Sequence, residues 1–214
     1  MTAVVTNPLH DFLFGQYATY APQDILLEVV GVLLGLASVW YAKQNKIAVY
    51  PTGMVSTAIF VYLLWKFTLL GDMLINAYYF LMSAYGWFFW LQKKDGQTVN
   101  PIAVISKKET FISVVLFAVT ILGVYQLYNS FAMWGSWTAY VDTVTTAIFF
   151  VGMWLMARRK IEHWIFWIVG DLISIPLYFY KGLTVTCFQY IIFTIIAIYG
   201  YRAWKQELNS QALA

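Results

Sequence analysis

Trp164, Trp167 and Asp171 stand at positions i, i+3 and i+7 of the stretch EHWIFWIVGD, residues 162–171. On a helix that spacing puts all three on one face. Two indole rings offer a stacking surface, and Trp is the best of the rings for a cation. A carboxylate beside them balances positive charge. The chemistry such a face suits is binding of a flat, cationic, aromatic or heteroaromatic solute. Arg158, Arg159 and Lys160 precede the stretch. If they mark a membrane surface, Asp171 lies about 15 Å in, near mid-bilayer. A carboxylate there is costly and must face a cavity or a partner. A second reading is open for the same residues, with Trp164 as an interfacial belt residue and Asp171 bonded to another helix.

Other polar residues fall within apolar runs. Asn76 and Tyr79 lie in one run, Gln189 and Tyr190 in another, each a few turns from the same end. Their amides and hydroxyls can bond a substrate's polar tail, or equally bond between helices. Glu162 and His163 sit at the interface by depth, where a lone His is usually structural. Glu28 and Asp142 lie near helix ends and read as headgroup or capping residues. Pro51 and Pro176 are expected to kink their helices, opening a cavity or serving as hinges. Gly31 and Gly35 form a small-xxx-small pair suited to packing.

The elements that position these residues follow from composition. The chain is 61% hydrophobic and 11% charged, against about half and a quarter in soluble domains. Its apolar runs of about 20 residues read as membrane helices. Seven are expected, at 25–43, 47–66, 69–91, 110–128, 139–157, 163–180 and 184–204. Alternate loops carry Lys43 and Lys46; Lys93, Lys94, Lys107 and Lys108; Arg158, Arg159 and Lys160; and Arg202 and Lys205. The other side has Lys66 and Lys181. Because basic residues collect on the cytoplasmic side, the N-terminus is expected outside and the C-terminus inside. The first 24 residues, with Pro8, Asp11 and Pro22, read as a polar leader rather than a cleaved signal. Residues 206–214 read as a cytoplasmic tail.

Residues 27–93 slide onto 141–207 without a gap. Glu28 then falls on Asp142, Trp40 on Trp154, Lys46-Ile47 on Lys160-Ile161, and Tyr85-Gly86 with Trp90 on Tyr199-Gly200 with Trp204. Each unit holds three spans. The expected organisation is a first three-helix repeat over 25–91 and a cytoplasmic loop over 92–108. A linker helix over 109–130 and a second repeat over 139–205 follow. Two three-span units in direct succession would be inverted, so the linker restores a parallel 3+1+3 arrangement. Such repeats are frequent in transporters, with substrate near the midplane.

Several function classes lose ground. His10 and His163 are far apart, with no Cys or His at helical spacing, so no metal or other cofactor is expected. The single cysteine, Cys187, excludes an internal disulfide framework. No H-E-x-x-H or G-x-S-x-G motif supports an enzyme. A proton relay or channel has only Asp171 to build on deep in a span. No Lys or Arg lies inside any span, whereas a phosphate would want one; the expected solute is therefore dephosphorylated.

The block RKIEHWIFWIVGDLISIPLYFYKGL, with YVDTVTT before it and IYGYRAW after it, resembles the second half of the bacterial Pnu vitamin transporters. LEVVGVLLGLASVWYAKQN and LLGDMLINAYYFLMSAYGWFFW are similar to the first half. The resemblance covers about residues 25–205. It implies seven helices as 3+1+3, a fold related to the SWEET sugar transporters, and a homotrimer in the bacterial inner membrane. It also implies facilitated diffusion of an unphosphorylated vitamin precursor, with no nucleic-acid partner and a cytoplasmic vitamin kinase as trap. The candidate substrate-binding residues are Trp164, Trp167, Asp171, Asn76, Tyr79, Gln189, Tyr190 and His163. Relatives often carry Asn at the position of His163, Gln near Asn76, and tryptophans where this chain has IAVYP at 47–51. Nicotinamide riboside is the expected solute and thiamine the alternative, both being flat cations.

Overall fold

The computed structural model describes residues 20–67, 70–94, 97–131, 134–181 and 184–213. Seven helices account for most of them: α1 (Pro22–Lys43), α2 (Val49–Lys66), α3 (Leu70–Leu91), α4 (Lys107–Ser130), α5 (Thr138–Ala157), α6 (His163–Tyr180) and α7 (Thr184–Leu213). The expected leader lies outside the described residues up to position 19, and its last three residues already belong to α1. The expected tail is no separate segment, because α7 runs unbroken to Leu213.

Local chemistry explains the ends. Pro22 opens α1, where a missing N–H costs nothing. Pro51 is the third residue of α2, in the first turn, where its N–H would have had no helical partner. It therefore sits in that helix's opening turn without kinking it, and among the described residues only Pro176 lies in a helix interior. Ser106 and Glu109 form a reciprocal capping box at the start of α4, which begins the helix at 107.

The outward surface is apolar, with Phe88, Phe111 and Leu122 each about two-thirds exposed. Length and mean hydropathy alone qualify α1, α4 and α5 as membrane spans. The other four are rich in Tyr and Trp, which hydropathy scales count as polar. The most enclosed of the three is α5: 67% of its apolar window is buried, against 11% for α1 and for α4. α1 packs on α2 and α2 on α3; α5 packs on α6 and α6 on α7. The two groups meet where α1 touches α7 and α3 touches α5, while α4 rests mainly on α5.

Positions 114 apart make the same local structure. Asn45 and Arg159 are the non-glycine residues with positive φ among those described, at 54° and 60°. The backbone bonds around them correspond: Lys46 N–H to Tyr41 O as Lys160 N–H to Leu155 O, and Tyr50 N–H to Ile47 O as Trp164 N–H to Ile161 O. The Tyr50 and Trp90 rings meet edge-on at 5.1 Å, as do those of Trp164 and Trp204 at 5.9 Å. Gly86 leaves room for the Tyr50 ring and Gly200 for the Trp164 ring. At the opposite ends, among the described residues, each group has an ion pair of its own. Lys66 pairs with Asp24 at 2.7 Å and Lys181 with Asp142 at 2.5 Å.

The connection from 92 to 106 makes a two-residue-per-strand hairpin, Lys93–Lys94 with Gln97–Thr98. It then crosses to the α5–α6 turn, where Ala103 N–H bonds Arg159 O and Ile161 N–H bonds Ala103 O.

Candidate functional site

A run of aromatic rings crosses the middle of the molecule. Tyr78 of α3 stacks on Phe150 of α5 at 3.8 Å and donates its hydroxyl to the Phe150 carbonyl. Tyr79 lies 6.2 Å from both Phe150 and Trp167. Trp167 stacks on Phe149 at 5.4 Å, Phe149 on Tyr190 at 6.0 Å, and Tyr190 on Tyr178 at 5.1 Å. Four helices, α3, α5, α6 and α7, therefore supply one continuous aromatic lining. Gly170 makes room for it on α6, because a Cβ there would run into the Phe149 ring.

Asp171 is set into this lining, only 2% exposed, within electrostatic reach of Tyr79 and Tyr190. Its Oδ2 has no hydrogen-bond partner, and neither has the Oγ of Ser174 one turn on. Buried polar atoms are normally bonded. Two orphaned acceptors on one face of α6, beside aromatic rings from four helices, suit a ligand with a flat ring and donor groups.

The site residues expected from sequence separate into three places. Trp167, Asp171, Tyr79 and Tyr190 come together in the aromatic lining. Trp164 and His163 lie next to it, in the buried cluster at the basic end of the helices, against which Tyr79 and Trp167 also pack. Trp164 is 1% exposed and packed on Trp204. The His163 ring is 4.4 Å from Trp164 and 4.7 Å from Trp204, and its Nδ1 is 2.7 Å from Lys160 O. Asn76 donates its amide to the Asp72 carbonyl of its own helix at 2.9 Å. Gln189 is half-buried and, as the neighbour of Tyr190, points about 100° away round α7.

Phe149, Tyr178 and Ser174 were missed. Ser174 and Tyr178 continue the Trp167–Asp171 face at the i, i+4, i+7 spacing, so a signal existed for them. Phe149 had none, since it sits in an unbroken apolar run. Among the described residues, no three His, Cys, Asp or Glu side chains gather as a metal would require. An apolar groove of about 620 Å³ between α1, α2 and α3, lined by Leu27, Pro51, Val55 and Trp87 among others, lies apart from Asp171.

The model of the family described as nicotinamide mononucleotide transporter matches residues 25–206. The nicotinamide riboside transporter PnuC of Escherichia coli is 24% identical over 221 residues, covering 88% of this chain and 90% of that protein. PnuC of Neisseria mucosa is 26% identical, covering 86% and 73%. The riboflavin/roseoflavin transporter RibM of Streptomyces davaonensis is 24% identical, covering 83% of each. The crystal structure of the vitamin B3 transporter PnuC superposes with a TM-score of 0.64 at 23% identity, covering 92% of this chain and 88% of that one.

Proposed function

This chain belongs to the nicotinamide mononucleotide transporter family, and from that premise we propose that it takes up nicotinamide riboside. It is a transporter of the inner membrane, not an enzyme. The observation that carries the substrate reading is the pair of orphaned acceptors on Asp171 and Ser174 within the rings of Tyr79, Phe149, Trp167 and Tyr190. The pyridinium ring would stack on Trp167, with Asp171 balancing its charge. The ribose hydroxyls would supply donors to Asp171 and Ser174. Trp164 and His163 would buttress α6 from behind. Asn76 and Gln189 would act nearer the mouth. With no Lys or Arg inside a span, the site favours the riboside over its phosphate.

The wider reading has support of its own. The contacts of α1 with α7 and of α3 with α5, and the equivalences at a shift of 114, fit two parallel three-helix repeats about an axis along the membrane normal, as in SWEET transporters. The distribution of basic residues fits an outer N-terminus and an inner C-terminus. Transport would be facilitated diffusion by a homotrimer, with an intracellular kinase trapping the product.

Isothermal titration of the purified protein with nicotinamide riboside, its mononucleotide and thiamine tests the substrate. Saturable heat with the riboside alone is the expected result. Heat with thiamine alone would move the chain to thiamine transport.

A further inference from the structure

The two halves of the molecule are tied together by a polar knot at the end carrying the basic residues. Arg159, in the α5–α6 turn, donates from Nε and Nη2 to Asn45 Oδ1, in the α1–α2 turn, at 3.0 and 2.7 Å. Asn45 Nδ2 donates in turn to Glu207 of α7 at 2.7 Å. Arg159 Nη1 reaches the Asn100 carbonyl at 2.9 Å, and its guanidinium lies 4.4 Å over the Trp90 ring of α3. Trp204 Nε1 donates to the Ala42 carbonyl, and Arg158 to the Tyr85 hydroxyl. Each of these bonds except that to Asn100 runs from one three-helix group to the other.

The opposite end is built differently. The ion pairs Lys66–Asp24 and Lys181–Asp142 each stay within one group. Across the groups, Asp72 of α3 lies within electrostatic reach of both Asp142 and Lys181, which already pair with each other. The hydrogen bonds that tie one helix–helix turn to the other are those at the basic end.

The knot is also asymmetric. Asn45 and Arg159 occupy equivalent positions, 114 residues apart. Trp204 makes its indole bond to Ala42 O, whereas its equivalent, Trp90, has a buried Nε1 without a partner. The Arg159 guanidinium instead lies over the face of the Trp90 ring. Arg159 does so from φ 60°, a conformation unfavourable for a long side chain. That is the αL position of the backbone cap that ends α5, where Lys160 N–H bonds Leu155 O as Lys46 N–H bonds Tyr41 O after Asn45.

We propose that Arg159 and Asn45 are the inner gate of the transport path, closed in this structure, and that solute leaves toward the cytoplasm only when their bonds break. The proposal rests on the transporter reading and on the orientation given by the basic loops.

The test reads the gate without a substrate. Met153, buried in the same cluster as Trp90 and Trp204, is replaced by cysteine in a Cys187→Ala background. A membrane-impermeant maleimide is then applied to inverted and right-side-out vesicles. Arg159→Ala should speed labelling roughly tenfold in inverted vesicles, as expected for losing charge-assisted bonds. It should leave labelling from the outer face unchanged. Arg159→Lys, which keeps one donor, should fall between. If Arg159→Ala fails to reach the membrane, Glu207→Ala, which removes only the second bond of Asn45, should give the same one-sided increase. Unchanged labelling in inverted vesicles, or an equal increase from both faces, overturns the gate. Nicotinamide riboside uptake by the unaltered protein is measured on the same vesicles. Failure there overturns the substrate alone.

Discussion

Trp164 and Trp167 are three residues apart and do different work. Trp167 lies in the aromatic lining against Phe149 and Tyr79. Trp164 is sealed between Trp204, His163 and Gly200. Replacing Trp167 by Ala is expected to lower uptake about tenfold or more by losing a desolvated cation–π surface. Membrane levels of the protein, followed by immunoblot, should stay normal. Unchanged uptake would remove Trp167 from the site. Replacing Trp164 by Ala should cost about 3–5 kcal/mol of stability through the cavity it leaves, read as a lower thermal midpoint in detergent. Gly200→Ala would set a Cβ 2.6 Å from the Trp164 ring. Such overpacking should cost about 1–3 kcal/mol and lower the same midpoint; a midpoint at or above that of the parent would contradict the packing. The i, i+3, i+7 spacing made Trp164, Trp167 and Asp171 legible as a helix face. It did not reveal that the face is wide enough to meet two environments, because α6 is covered on one side by α5 and on the other by α7.

At the scale of elements, all seven helices were legible from their apolar runs, and their ends less so. Two shifts have plain causes. The capping box of Ser106 and Glu109 begins α4 before its apolar run does. The amphiphilic residues after Trp204 extend α7 to Leu213 without an apolar signal. Pro51 looked like a kink because position within a helix cannot be read from an apolar run alone. Ser106→Ala should remove the N-cap and cost about 1 kcal/mol, seen as a modest fall in thermal midpoint. Glu109 is the firmer part of this junction. It accepts from Ser106 and pairs with Lys160 at 3.2 Å and Arg158 at 3.4 Å.

For the whole molecule, the shift of 114 was legible as scattered identities such as Tyr85-Gly86 and Tyr199-Gly200. Its physical content was not. The correspondence of Tyr50 with Trp164, each edge-on to the next tryptophan and seated against a glycine, joins unlike residues. No comparison of letters would pair them. The orientation read from the basic loops has a direct check. A cysteine at Lys107, in the Cys187→Ala background, should react with an impermeant maleimide in inverted vesicles only. Reaction in right-side-out vesicles alone would reverse the assignment of sides.

The position of α4 has a consequence for how the protein is made. It rests mainly on α5 and turns most of its surface outward, so it adds little to the finished core. Yet it stands between two groups of three helices, and three is odd. In the proposed 3+1+3 topology, α4 would be the segment whose passage through the insertion machinery decides which way α5 enters the bilayer. A variant with several of its outward valines made polar would leave the first half correctly inserted and send the second half in upside down. The defect would be one of biogenesis, with every contact of the native core still encoded in the chain and no opportunity to form it.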